Sequence, residues 1–137
     1  MWWIYALLSA GFAALTAILA KIGIKNINSD LATAIRTLVI LVIAWGIVFA
    51  RGEFKGITAI SKHTLLFLVF SGIATGLSWI FYFKALQLGE VSKVAPVDKL
   101  SVAIAIVLSV VFLNESLTWQ TILGGGLIIA GTIILII

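Results

Sequence analysis

The last 21 residues, LTWQTILGGGLIIAGTIILII (residues 117–137), hold no charged side chain. About 20 apolar residues cross the hydrocarbon core of a bilayer as a helix. Working back toward the N-terminus, four more runs of this kind appear, at residues 2–20, 31–50, 64–83 and 94–113. Backbone groups inside lipid must find their hydrogen bonds within the segment, which selects helices, and the runs are too long and too evenly apolar for barrel strands. The sequence therefore predicts an all-α integral membrane bundle of five transmembrane helices, with residues 1–137 forming one domain.

Composition supports this. The chain of 137 residues is 63% hydrophobic and 10% charged, against about 25% charged for an ordinary soluble domain. Mean hydropathy is +1.27. A net charge of +4 would suggest nucleic acid in a soluble protein; here it bears on orientation in the bilayer, and no nucleic-acid partner is expected. Cysteine is absent and His63 stands alone, so no metal site and no cofactor is called for. The N-terminal MWWIYALLSAGFAALTAILA lacks a basic leader and stays apolar too long for a cleaved signal, so it reads as a permanent span.

Turn and charge signals gather between the runs. Ser29 or Asp30 is expected to cap the second span. RGEFKGITAISKH is the longest link and has room for a short interfacial helix, whereas NES joins the last two spans tightly. An odd number of spans puts the termini on opposite sides. The N-terminal side then carries Arg51, Lys55 and Lys62, and the other carries Lys21, Lys25, Lys84 and Lys93. Orientation follows the Lys/Arg bias of short loops, and four against three is almost no bias. One orientation can still win through the first span; the other reading is dual topology, with copies inserted both ways. Trp2, Trp3 and Trp119 fall at one interface, while Trp79 and Tyr82 approach the other.

Three charges lie inside the runs. Arg36 is five residues into the second, and Asp98 and Lys99 are four and five residues into the fourth. Both runs start on the same side, so all three fall about 6–8 Å below one surface. Ionisable groups at membrane depth face the bundle interior and pair. Arg36 suits Asp98 better than Lys99 does, because adjacent helical side chains point about 100° apart. Lys99 would then remain as unpaired positive charge. The alternative is that Lys99 or Arg36 snorkels to the headgroups. Pro96 either occupies the first turn of its helix or, with a start near Val91, kinks the span and frees a carbonyl beside Asp98.

Small residues mark packing seams. Gly124 and Gly131 share one face of the last span and make a candidate dimer seam, and Gly72 and Gly76 form a GxxxG pair suited to packing within a subunit or between subunits. Ser9, Thr16, Thr75, Ser78 and Ser109, with Trp79, Phe81 and Tyr82, are the side chains available to line a cavity for an amphipathic or aromatic ligand.

The stretch ALQLGEVSKVAPVDKLSVAIAIVLSVVFLNESLTWQTILGGGLIIAGTIILI resembles the second half of an EamA-type domain of the drug/metabolite transporter superfamily. The resemblance lies in the AP pair entering the fourth span, the FLNESLT link and the glycine-rich last span; upstream, NINSDLATAIRTLVILVIAW is similar to the family's second span with its arginine, here Arg36. It covers nearly the whole chain, and APVDKLS resembles the short single-domain members. The resemblance implies half of a ten-helix fold whose halves are inverted repeats, carrying metabolites or drugs across the cell membrane. The Gly124 and Gly131 spacing also resembles the dimerising span of small multidrug resistance transporters, but the first span here lacks their acid, so proton coupling would fall to Asp98 or Lys99. The expected function is a small-molecule transporter acting as an antiparallel homodimer by alternating access, with Arg36, Asp98, Lys99, Pro96, Trp79 and Tyr82 in substrate or coupling roles. The alternative is a non-transporting subunit that stabilises a partner complex. An intramembrane enzyme fits poorly, since no acid–base pair is visible.

Overall fold

The computed structural model describes all residues, 1–137. The chain is helical throughout: α1 Trp2–Gly23, α2 Ser29–Ala50, α3 Lys62–Leu88, α4 Val91–Asp98, α5 Leu100–Leu113 and α6 Trp119–Ile136. Short 3-10 turns at Ile24–Asn26 and Glu53–Ala59 follow α1 and α2. With α4 and α5 taken together as Val91–Leu113, five segments are long and apolar enough to cross a membrane. The expected spans are all present. Several run past their expected ends, α3 by five residues to Leu88 and the fourth by three residues back to Val91.

Local chemistry explains where the helices begin and end. Asn28, rather than Ser29 or Asp30, caps α2: its Oδ1 accepts from the amides of Asp30 at 2.7 Å and Leu31 at 3.3 Å. Ser29 is instead the first helical residue, and it is buried. The long link does contain a short helix, and Phe54 folds back from it, stacking on Phe49 with ring centroids 5.0 Å apart and reaching Trp45 at 6.0 Å. Asn114 ends α5 in the left-handed conformation, φ 53°, which asparagine tolerates better than most residues. Thr118 starts α6 by accepting from the Thr121 amide at 3.2 Å.

Two compact units are distinguished, residues 19–87 and residues 1–18 with 88–137. In the first, the end of α1, the start of α2 and the end of α3 pack around Ala20, Ile24, Ala32, Phe83 and Leu86. Polar side chains tie this end together. Lys21 Nζ donates to the Leu86 carbonyl at 2.6 Å, a cation on the carbonyl end of a helix. Gln87 Nε2 donates to the carbonyls of Ile24 at 3.2 Å and Ile27 at 2.8 Å, satisfying link groups that a bilayer could not. Away from this end, residues 37–47 of α2 and 62–75 of α3 are exposed throughout.

In the second unit α6 packs on α4 and α5. Its buried and half-buried residues are Thr121, Gly124, Gly125, Ile128, Gly131 and Thr132, a stripe at helical spacing. Gly125 makes the closest approach, and a Cβ there would stand 3.3 Å from Ile106 Cδ1. A Cβ at Gly124, Gly131, Gly72 or Gly76 would meet nothing within 4 Å.

Candidate functional site

The polar content of α2 lies on one face. Ser29, Thr33 and Arg36 follow one another at helical spacing of four and three residues, and the first two are buried. Thr33 spends its hydroxyl proton on the Ser29 carbonyl at 2.8 Å. Arg36 lies seven residues past the helix start, about 10 Å along the axis and deeper than its place in the hydrophobic run suggests. Its guanidinium carbon sits 4.0 Å above the centroid of the Phe83 ring. A cation over an aromatic face gains on the order of 0.5–2 kcal/mol. Tyr82 interacts electrostatically with the same guanidinium, and its ring meets Phe83 edge-on at 5.5 Å. Trp79 stands one turn before Phe83 on α3 and is half-buried.

Stacking covers the face of the guanidinium and leaves its N–H edge to be satisfied separately. Nη1 of Arg36 and Oγ of Ser29 are both buried without a hydrogen-bond partner. Arg36 as a whole is half-buried, so the cost falls on one edge of the guanidinium, and a buried donor left unsatisfied there costs about 1–3 kcal/mol unless something else uses it.

The Asp98 carboxylate takes Lys99 at 3.1 Å, the neighbour expected to be its poorer partner. That expectation assumed an unbroken helix, and here the helix breaks between them: α4 ends at Asp98, Lys99 joins the two segments, and α5 starts at Leu100. Lys99 is therefore not an unpaired charge. Its side chain is 58% exposed, against 33% for Asp98. Asp98 lies seven residues past the start of α4.

Pro96 causes the break, and it lies inside α4 rather than in its first turn. Its ring removes an amide that would have donated four residues back, and beyond it the chain tightens: the Lys99 amide donates to the Pro96 carbonyl at 3.0 Å, a three-residue step. The single hydroxyl proton of Thr132 in α6 is shared between this carbonyl, 3.2 Å from Oγ1, and the nearer Ile128 carbonyl at 2.8 Å. The carbonyl at the kink is thus held by a buried hydroxyl of the glycine-rich helix.

The structure brings Arg36 and Tyr82 together, with Phe83, Ser29 and Thr33 added to the group. Ser29 was expected only as a cap of the second span, and Thr33 and Phe83, within or ending apolar runs, carried no signal of their own.

The match to the EamA-like transporter family model covers residues 1–137. A Sinorhizobium sp. protein named as an uncharacterized transporter is 50% identical over 134 residues, which is 98% of this chain and 95% of that one. An uncharacterized protein of Methanocaldococcus jannaschii is 31% identical over 83 residues, or 61% of each chain. No solved structure matches the chain. With its five apolar membrane-length helices and a family match running from end to end, the chain is a multi-pass integral membrane protein and belongs to the EamA-like transporter family.

Proposed function

We propose that this membrane transporter moves a small molecule by alternating access as an antiparallel homodimer. The observation that carries the reading is the bareness of residues 37–47 of α2 and 62–75 of α3. A route through lipid must be walled by protein wherever polar groups line it. Helices whose outer halves bury nothing form no such wall alone, and a second, inverted copy supplies one. The small residues Gly72 and Gly76, open to 4 Å, leave room for a close helix approach within and just beyond that stretch of α3. The near balance of basic residues, four against three, permits insertion in both orientations.

In this scheme Arg36 contacts substrate, with Tyr82 and Trp79 along the path. The Asp98–Lys99 pair is the coupling element, since a carboxylate that gains a proton releases its lysine. Pro96 gives α4 and α5 a joint about which to bend. Flux into proteoliposomes, screened over organic acids, amino acids and cationic drugs, is the test. Uptake of at least one class, lost in Asp98→Asn, is the expected result. No flux in any class, with a stable complex recovered around another membrane protein, would point to the non-transporting subunit instead.

A further inference from the structure

Within residues 19–87, the unit that holds Arg36, the acidic side chains are Asp30 and Glu53, and neither pairs with the guanidinium. The amides at the start of α2 are no substitute explanation for the polar face, because Asn28 already caps those of Asp30 and Leu31. What is left over is side-chain chemistry: Nη1 of Arg36, which can only donate, and the hydroxyl of Ser29, which can donate, both buried and both without a partner. Arginine stacked on an aromatic ring with its edge free is prepared for an oxyanion.

We infer that Arg36 and Ser29 form the seat for a singly charged oxyanion, the carboxylate of a small organic acid with an apolar or aromatic body. The inference rests on the transport reading for its place on a path. One guanidinium supplies one charge, and the nearby Lys21 ammonium is engaged with the Leu86 carbonyl, so a monoanion is matched and a phosphate dianion is not. Phe83, stacked under the guanidinium, sets an apolar surface beside the seat. A lipid phosphodiester has the same charge but stays at headgroup level, whereas Arg36 is two helical turns into α2 and its Nη1 is closed off.

The test uses the full chain in nanodiscs of zwitterionic lipid, read by thermal unfolding. Benzoate and cyclohexanecarboxylate are expected to stabilise the protein saturably, and benzamide is not. Arg36→Gln weakens benzoate binding about tenfold or more, the loss of a charge-assisted hydrogen bond, and Ser29→Ala weakens it less. Without ligand, Arg36→Gln unfolds no earlier than wild type, because the stacking lost from Phe83 is offset by removal of the unsatisfied Nη1 donor. Benzoate affinity unchanged in Arg36→Gln, equal stabilisation by benzamide, or no response to either acid overturns the seat. So does a marked loss of unliganded stability in Arg36→Gln that Arg36→Lys restores, which would make Arg36 a structural prop for Phe83. A parallel arm in phosphatidylglycerol nanodiscs separates the lipid source: Arg36-dependent stabilisation there, without any effect of benzoate, overturns the inference in favour of a headgroup. Benzoate binding with no flux of any solute would keep the seat and sink the transport reading. Flux of a neutral solute untouched by Arg36→Gln would do the reverse.

Discussion

The Arg36 guanidinium carbon lies 4.0 Å above the centroid of Phe83, which is itself only 2% exposed. One contact therefore joins the start of α2 to the last turns of α3 at the candidate site. Phe83→Ala removes a core ring and the surface on which Arg36 rests. It is expected to lower unfolding stability by about 3 kcal/mol, near the usual loss for a buried phenylalanine. Phe83→Leu keeps most of the volume and costs less. Denaturant titration in detergent reads both.

Gln87 satisfies two link carbonyls with one amide. Gln87→Leu leaves them without a donor, and each unsatisfied buried acceptor costs about 1–3 kcal/mol. Hydrogen exchange should quicken locally at residues 24–31, where the link meets α2, and stay unchanged in α6. Uniform quickening along the chain would mean that the amide is not acting through this link.

Thr132 Oγ1 donates to the Pro96 carbonyl at the break in the fourth span. Thr132→Val keeps the shape and removes the bond, at about 1 kcal/mol in stability. Pro96→Ala restores an amide to the helix and relieves the break, so it should raise the unfolding temperature and lower flux together. A Pro96→Ala protein that transports as well as wild type would show that the joint is not used.

Gly125 and Gly124 are neighbours with different surroundings. A Cβ at Gly125 meets Ile106 Cδ1 at 3.3 Å, whereas one at Gly124 meets nothing within 4 Å. Gly125→Ala requires only that the tip of Ile106 shift, and Gly125→Leu overpacks α6 against α5, at about 1–3 kcal/mol. Gly124→Ala and Gly131→Ala should leave monomer stability within about 0.5 kcal/mol. If these two glycines line the dimer seam, their leucine variants will abolish chemical cross-linking of the dimer while the monomer still folds.

The helices were legible in the sequence because hydropathy alone determines where a chain crosses lipid. Their ends were not, because capping depends on individual atoms: Asn28 rather than Ser29 or Asp30 reaches the free amides of α2. The charges were legible as ionisable residues inside apolar runs, and Arg36 and Asp98 each lie seven residues past the start of their own helix. Their partners were not legible. The argument against an Asp98–Lys99 pair relied on regular helical geometry, and Pro96 removed that regularity. Phe83 escaped notice for another reason: an aromatic residue closing an apolar run looks like any other core residue until a cation is found above it.

The central claim is that two oppositely oriented copies of this chain together enclose the path. The most direct measurement is the location of the C-terminus in cells, using paired reporters active on opposite faces of the membrane. The account predicts comparable signal from both reporters, shifting to one side when a few lysines are added to a single link. Signal from one face only, in a protein that carries its substrate without a second kind of subunit, would contradict it.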